Sequence, residues 1–521
     1  MTDYASLGLQ KLVRLTFSPL TISPKVQTFS LVVITIAGGL VLALAPFSMA
    51  VLIVSGSIFF TLALIYPVFY LYLLILIIPV SSLLAIQVGG VRIGLMEVVL
   101  ALGLFIWLLK MLAEPALSGQ NISIVAGPLI GPFLLLLGGL SLSWLTTLSI
   151  GASLVETAKW VEMLAVYLFV INLLKPHQIK WAVIVILTAG LIQAGWGIYQ
   201  FIFKVGPDGF LLFDGRFLRA YGTFAQPNPY GGYLGLVLPL TLSLTIWLLS
   251  QILDNRRDSR QSKLGRLLQL GLVSLPLAIM VAALFASQSR GALLGFAVAG
   301  VVTLMVWSRK IALAIAGLAL AGVMIGLISS FNLTLTPQID SSDVGSPYNA
   351  IVQRVADAIE AINVTDVANT EVTDANFATL ERLAHWQAAQ TMWRDNLWLG
   401  VGIGNYAVVY PAYAIGRWLD PLGHAHNYLL NIGAEAGLVG ITVYLIFWIL
   451  TYGLLWTVVQ NNIGFYKAVA VGAIGVVTHL HVHNLVDNLY VQGMYLHVAV
   501  ILGLASVIYL SKNQHSIPRK V

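Results

Sequence analysis

Residues 230–251, YGGYLGLVLPLTLSLTIWLLSQ, form a mainly apolar stretch without a charged side chain. A helix of about 20 such residues crosses the hydrocarbon core of a bilayer. Similar stretches recur along nearly the whole chain of 521 residues, of which 59% are hydrophobic and 9% charged. Soluble globular chains carry about 25% charged residues. The sequence therefore excludes a water-soluble fold and predicts an all-α, polytopic membrane protein.

The polar breaks between the apolar stretches predict about 14 transmembrane helices, within a range of about 12–14. The boundaries at Pro46 and Pro67 are the weakest, because one long apolar window must be divided there. The predicted spans are 29–47, 50–66, 68–87, 94–113, 124–147, 152–174, 180–202, 230–251, 267–286, 291–307, 311–330, 437–459, 466–487 and 490–510.

The basic residues predict the orientation, because cytoplasmic loops of membrane proteins are enriched in Lys and Arg. With a cytoplasmic N-terminus, 17 of the 27 Lys and Arg residues lie in inner loops, five of them in the cluster from Arg256 to Arg266. The opposite orientation would place this cluster outside. We therefore expect both termini to be cytoplasmic, and we attribute the net charge of +6 to these loops rather than to nucleic-acid binding.

The longest segment between predicted spans is 331–425, which holds ten acidic residues, four arginines and no lysine. On the predicted orientation it faces outward. Helical spacing of apolar residues predicts helices at Tyr348–Ile362 and Phe377–Arg394. The chain is thus expected to consist of an N-terminal transmembrane region (1–330, about 11 helices), a helical extracytoplasmic cap (331–425), and a C-terminal transmembrane region (426–521, about three helices).

Unusual ionisable side chains gather on the predicted outer side of the membrane. Such groups are costly near the hydrocarbon, so each is a functional candidate. They are Arg92, Arg216, Arg219, Arg290, Arg382, His424, His426, Glu435, His479, His481, His483 and Asp487. Five arginines together with paired histidines suggest an anionic ligand and a proton transfer.

Two arginines lie in polar segments between spans. Arg290 follows Ser287-Gln288-Ser289, where its planar donors could bind a phosphate or snorkel to the interface. Arg219 precedes Gly222-Thr-Phe-Ala-Gln-Pro-Asn228, and its role stays open between binding and structure. The Pro-Asn pair favours a rigid turn before the next helix. Arg216 is a weaker candidate.

His424-Ala425-His426-Asn427 lies where the long outer loop returns to the membrane. A neutral imidazole there could accept a proton from an acceptor hydroxyl. Histidines at i, i+2 could also bind a metal, but they do not share a helix face, and structural hydrogen bonding is a further alternative. We favour a catalytic base and no metal. The residues that follow predict a short interfacial helix, Tyr428–Glu435, broken at Gly437.

The remaining polar groups have simpler interpretations. His479 and His483 share a helix face, where they could line a cavity or bind a metal, but satisfaction inside the bundle is favoured. Glu156, Lys159 and Glu162, spaced by three residues, are expected to neutralise one another. The glycine-rich segment 400–405 is predicted to be a turn, because it lacks the spacing and the preceding strand of a nucleotide-binding loop.

The order of these motifs resembles the O-antigen ligase and polymerase superfamily. The matching elements are Gly222–Asn228, Ser287–Gly291, Arg382–Trp386, Gly400–Asn405 and His426–Gly440. The ordered set is more specific than any single element. The first half of the chain is similar to the family only in its general hydropathy.

The resemblance implies a GT-C-like membrane glycosyltransferase, inverting and without metal or cofactor. Its donor would be a glycan linked to a polyprenyl diphosphate such as undecaprenyl diphosphate, its acceptor a hydroxyl of a lipid or glycan, and its place the outer face of a bacterial inner membrane. Carried over by motif, His426 would be the base, and Arg290 and Arg219 would bind the diphosphate. The residues assigned to substrate binding are Arg382, His424, Arg216, Asn228, Glu435 and His483.

A transporter is the main alternative, because some cyanobacterial relatives are labelled as putative inorganic-carbon transporters. The chain resembles that branch in its long apolar first half and its Pro-Asn motif. A bicarbonate or other anion transporter would place its ion sites near the bilayer midplane. Most polar candidates are instead predicted at the outer face, which favours the enzyme. The sequence does not separate a ligase from a polymerase.

Overall fold

A computed structural model describes residues 66–514, except 82, 84, 89–90, 119–123, 213–214, 254–259, 315–316, 318–365 and 374–375, together with isolated residues from 46 to 65. The predicted spans 29–47, 50–66 and 311–330 lie wholly or largely outside the described residues. The predicted helix Tyr348–Ile362 also lies outside them.

The described part is built almost entirely from helices. The α-helices are α1 (Val68–Ile77), α2 (Leu95–Ser118), α3 (Ile130–Leu142), α4 (Ile150–Leu173), α5 (Ile179–Phe203), α6 (Pro227–Leu253), α7 (Arg260–Ser287), α8 (Arg290–Trp307), α9 (Phe377–Asp395), α10 (Tyr406–Val409), α11 (Tyr428–Asn461), α12 (Gly464–His483) and α13 (Met494–Gln514). Two antiparallel hairpins accompany them: β1 (Ala85–Val88) with β2 (Val91–Gly94), and β3 (Leu211–Leu212) with β4 (Phe217–Leu218).

Eight helices of the described part are long and apolar enough to cross a membrane: α2, α5, α6, α7, α8, α11, α12 and α13. Two further apolar helices are shorter, Val68–Val80 and Ile130–Thr146. Helix α4 is 24 residues long and carries the three charged residues Glu156, Lys159 and Glu162. The protein is therefore a multi-pass helical membrane protein, and the total of about 14 spans stays a prediction.

The predicted span 68–87 is wrong in its second half. Helix α1 ends at Ile77, and Ala85–Val88 pairs with Val91–Gly94 in a hairpin. Two local signals explain the difference. Pro79 lacks a backbone N–H and lies two residues after the helix end, in the 3₁₀ turn Ile78–Val80, and a Gly-Gly pair at 89–90 favours a tight hairpin turn. The predicted span 466–487 is also too long, because α12 ends at His483.

Helices α12 and α13 form the centre of the bundle. Helix α12 packs against both α6 and α8, and α13 packs against α4. Close approach depends on small residues, as in other membrane bundles. A Cβ atom at Gly472 would lie 2.7 Å from Cα of Leu240, and one at Gly475 would lie 2.6 Å from Cβ of Pro239.

The connections between helices collect on two faces of the bundle. On one face, Ala220 donates its N–H to the carbonyl of Ala286 (2.9 Å), and Tyr428 donates to Asn484 (2.8 Å). We call this the site face. On the opposite face, the rings of Trp247 and Phe465 lie 5.9 Å apart.

Candidate functional site

The first structural device of the site is a break in α11. Gly437 has φ 62° and ψ −159°, which separates a short helix on the site face from the membrane span. The N–H of Leu438 donates to the carbonyl of Leu397 (2.9 Å), so the loop after α9 accepts a hydrogen bond released by the break. A Cβ at Gly437 would lie 2.3 Å from the carbonyl carbon of Trp398. The predicted break at Gly437 is confirmed.

His426 precedes this short helix in a constrained loop. Its φ of 51° lies in the left-handed region that non-glycine residues rarely adopt. Asn427 caps the helix by accepting the N–H of Leu430 (3.1 Å), and its amide donates to the carbonyl of Leu485 (3.0 Å). The indole N–H of Trp386 donates to the carbonyl of His426 (3.3 Å). These bonds fix the loop between the cap and the segment that follows α12.

Four titratable side chains meet at this point. Nδ1 of His426 lies 3.3 Å from Oδ1 of Asp487, whose Oδ2 lies 3.9 Å from Nε2 of His483. The ring of His424 is 4.4 Å from that of His426. The side chains of His426 and Asp487 keep 16% and 11% of their surface exposed, so the pair is reachable from the site face.

Burial and neighbours set the charges of this group. Burial alone would raise the pKa of Asp487, but the hydrogen bond with His426 and the adjacent His483 outweigh it and hold the pKa well below its ordinary range. Burial, aided by the nearby His426, lowers the pKa of His424 to about 3. At neutral pH the cluster therefore combines an ionised carboxylate with an uncharged His424.

His385 of the cap approaches the same group and was not among the residues singled out from the sequence. Its Nδ1 lies 2.9 Å from the hydroxyl of Tyr406, and its ring stacks on Tyr410 at 4.6 Å. The ring centroid is 5.9 Å from that of His426. Burial, with His426 nearby, lowers its pKa to about 4. His385 is adjacent to Trp386 in the predicted helix Phe377–Arg394. The sequence therefore placed it in a helix but did not reveal its contacts.

Arg382 attaches the cap helix to the segment after α12. Its Nε donates to the carbonyl of Val486 (3.0 Å), and one terminal nitrogen donates to Ala378 in its own helix (2.8 Å). The predicted helix Phe377–Arg394 is confirmed as Phe377–Asp395. The side chain of Arg382 thus contacts the segment that carries Asp487.

Arg219 and Arg290 come together at the turn between α7 and α8. Arg219 reaches it with its side chain, and Arg290 follows it in the chain. Arg219 donates from Nε to the carbonyl of Ser287 (3.1 Å) and from a terminal nitrogen to Oδ1 of Asn228 (3.0 Å). Arg290 is the exposed first residue of α8. The next residue, Gly291, is so close to Val486 that a Cβ would lie 2.8 Å from its side chain. The turn therefore adjoins the segment leading to Asp487.

The remaining residues predicted to bind substrate lie at separate places around the His426–Asp487 pair. Arg216 is exposed in the turn of the β3–β4 hairpin. Asn228 binds Arg219, and His483 lies fully buried beneath Asp487. Glu435 is buried and accepts the N–H of Tyr406 (3.1 Å). Arg92, a further outer candidate, lies in β2.

Glu435 packs against the glycine-rich turn 400–405 and stabilises it. Gly400, Gly402 and Gly404 all have positive φ, and a Cβ at Gly400 would lie 2.3 Å from the Glu435 carbonyl carbon. The amide of Asn405 donates to Thr147 Oγ1 (2.7 Å) on the α3–α4 connection. The prediction of a turn is confirmed, and this turn anchors the cap to the bundle.

The histidines of α12 occupy the interior. His479 lies between Gly235 and Gly295, where added Cβ atoms would fall 1.9 and 2.8 Å from its ring. The rings of His479 and His483 are 5.5 Å apart, which confirms their predicted common face. His481 points elsewhere and packs on Trp448. In α4, Glu156 and Lys159 form the predicted ion pair, whereas Glu162 accepts a hydrogen bond from Tyr495.

One known protein family is similar to the part of the chain that contains most of this site. A family model described as O-antigen ligase, Wzy_C, matches residues 275–445. This region is similar to the O-antigen ligases. The match confirms the resemblance and covers about a third of the chain, including Arg290, Arg382 and His426, while Arg219 and Asp487 lie outside it. No curated protein sequence matches the chain. The matched region thus contains the cap helix, the His426 loop and the break in α11.

Proposed function

We propose that the protein is a membrane glycosyltransferase of the O-antigen ligase or polymerase type. It would move a glycan from a polyprenyl-diphosphate donor to a hydroxyl of a lipid or glycan acceptor. The observation that carries the proposal is the pair of His426 and Asp487, next to an arginine-bearing turn, with His426 in the matched region. The family match supports a lipid-linked glycan substrate in a membrane environment.

His426 is the proposed general base. Its Nδ1 faces Asp487, and the proton on Nδ1 would leave Nε2 with the lone pair that accepts the acceptor proton. The acceptor oxygen then forms a bond to the anomeric carbon, while the bond from that carbon to the diphosphate oxygen breaks on the opposite side. Asp487 is a positioning residue, because its negative charge stabilises the imidazolium that results.

The leaving group requires positive charge, because the diphosphate gains negative charge as the glycosidic bond breaks. Arg290 and Arg219 are proposed to bind it. Arg290 begins α8, where the helix N-terminus adds a partial positive charge. Arg219 is held beside the same turn by the carbonyl of Ser287 and by Asn228 of α6. Charge neutralisation of this kind needs no covalent intermediate.

The other candidates take supporting roles in this proposal. Arg382 and His424 border the pair and are proposed to contact the substrate, and Arg216 would contact it from the exposed hairpin. Asn228, Glu435 and His483 are proposed to position Arg219, the glycine-rich turn and Asp487, respectively, because they lie against those groups.

The proposed location is the inner membrane of a bacterium, with the site face and cap 331–425 outside. Basic residues on the opposite face support this orientation by the positive-inside rule. Those in the described loops and helix ends are Lys175, Lys180, Arg309, Lys310, Lys467 and Lys512. Both termini would then be cytoplasmic, with transmembrane regions 1–330 and 426–521 on either side of the cap.

An inorganic-carbon or other anion transporter is the second candidate. One observation favours it: α4 carries the Glu156–Lys159 ion pair, and ionisable groups within membrane helices often mark ion pathways. The His426–Asp487 pair lies instead in loops of the site face, which favours group transfer to a substrate reached from that face.

One reconstitution experiment tests both candidates. Purified protein is incubated with a lipid-linked oligosaccharide and candidate acceptors, and the release of polyprenyl diphosphate is measured together with glycan transfer. Proteoliposomes of the same preparation are tested for bicarbonate uptake. Transfer that is lost in His426→Ala supports the enzyme. Bicarbonate uptake without transfer, or full transfer by His426→Ala, contradicts it.

A further inference from the structure

His424, His426 and Asp487 form a cluster whose donor atoms can all lie within 4.8 Å of one another. In a helix, histidines at i, i+2 do not share a face, which would disfavour metal binding by His424 and His426. The structure removes that argument because the two histidines are not in a helix. The left-handed backbone of His426 brings the rings to a centroid distance of 4.4 Å.

The donor set matches a particular class of ion. Two imidazoles and one carboxylate are ligands that Zn²⁺ and its neighbours in the first transition row accept, and a fourth position stays open to water. With metal–ligand bonds of about 2.0–2.2 Å, tetrahedral ligand atoms lie about 3.4 Å apart. Small side-chain rotations would close the observed spacing to that value.

The surroundings also suit a metal. The backbone N–H of His426 donates to Nδ1 of His424 (3.2 Å), which fixes the ring. For Nε2 to bind a metal, the ring proton has to lie on Nδ1, so metal binding would replace this hydrogen bond. Nε2 of His483, 3.9 Å from Oδ2 of Asp487, lies where an outer partner of the carboxylate would be. The partial exposure of His426 and Asp487 gives an ion a route from the site face.

We propose that His424, His426 and Asp487 bind one divalent transition metal, with Zn²⁺ the preferred ion, and that the bound metal inhibits glycan transfer. The inhibition rests on the proposed function. A metal bound to either ring nitrogen of His426 would leave no lone pair for the acceptor proton, because the other nitrogen then carries the ring proton. A metal on Asp487 would neutralise the charge that stabilises the imidazolium. The cluster would then be an inhibitory metal site superimposed on the catalytic base.

Metal binding is tested without reference to activity. The full-length protein, purified in detergent through a tag free of histidine, is titrated with Co²⁺, and the visible absorption of the ion is recorded. We expect saturation at one Co²⁺ per chain and displacement of Co²⁺ by Zn²⁺. His424→Gln and Asp487→Asn should each weaken binding at least about tenfold, the scale of losses at metal sites. His177→Gln is the matched control, because His177 is an exposed histidine far along the chain from the cluster, and it should bind as wild type.

Inhibition is tested on the same preparation by adding Zn²⁺ to the transfer reaction and then a chelator. Transfer should fall as the site fills and return when the ion is removed. Absence of saturable Co²⁺ binding, or binding unchanged in both variants, overturns the metal site. Binding without inhibition of an active protein overturns the inhibitory role. A metal-free wild type that transfers no glycan contradicts the proposed function instead, while the cobalt titration still decides the site.

Discussion

Two histidine pairs lie next to each other in this protein and have opposite environments. His424 and His426 lie in a loop on the site face, partly exposed and beside the carboxylate of Asp487. His479 and His483 lie inside the bundle, where glycines of α6 and α8 leave just enough space for their rings. A histidine near a membrane therefore becomes a candidate for chemistry through exposure and a charged partner. Burial between glycines indicates packing.

The largest expected effect separates the two pairs directly. His426→Gln removes the proposed base and should lower the transfer rate by about 10²–10⁴-fold, the usual contribution of a general base, with the unfolding temperature unchanged. His479→Gln should lower the unfolding temperature and leave transfer per folded molecule near wild type. Both are measured on purified protein by transfer assays and thermal unfolding. A larger loss of transfer in His479→Gln than in His426→Gln would reverse the comparison.

The packing role of the inner pair has its own test. Gly235→Ala adds a methyl group 1.9 Å from Cε1 of His479, and overpacking of this kind costs about 1–3 kcal/mol of stability. The double variant with His479→Ala has room for the methyl group. Its loss of stability should therefore be smaller than the sum of the losses in the two single variants, as measured by thermal unfolding. Simple additivity would show that the two residues do not press on each other.

The arginine turn is expected to show a smaller, substrate-dependent effect. Arg290→Lys keeps the charge but loses the planar fork that binds a phosphate through two hydrogen bonds. We expect KM for the lipid-linked donor to rise about tenfold, a loss of about 1.4 kcal/mol in binding. Arg219→Lys should in addition lower the unfolding temperature, because it loses the bonds to Ser287 and Asn228. Wild-type KM in Arg290→Lys would exclude a diphosphate contact.

The smallest effect concerns the cap and pH. Because His385 has a pKa of about 4, below its ordinary 6.5, the unfolded state binds a proton between these values that the folded state does not. Stability therefore falls as pH decreases from about 6.5 to 4. Tyr406 and Tyr410 face the ring, and His426 and Asp420 are the nearby titratable groups. His385→Phe keeps the stacking, so its unfolding temperature should depend less on pH than that of wild type; an identical dependence would contradict this.

The sequence predicted features that depend on local pattern. The cap helix from Phe377, the break at Gly437, the shared face of His479 and His483, and the glycine-rich turn were all foreseen, because spacing and glycine act within a few residues. The hairpin at Ala85–Gly94 was missed because its apolar strands continue the hydropathy of α1. His385 and the contact of His426 with Asp487 could not be predicted, because they join positions 385, 426 and 487, which only folding brings together.

The proposed mechanism requires the donor diphosphate to bind at the turn that carries Arg290. Electron cryomicroscopy of the protein with a lipid-linked oligosaccharide, using His426→Gln to prevent turnover, would locate it. We predict the diphosphate within hydrogen-bonding distance of Arg290 and Arg219, with the anomeric carbon facing residue 426. A diphosphate bound away from the arginine turn, or an anomeric carbon facing away from residue 426, would contradict the account.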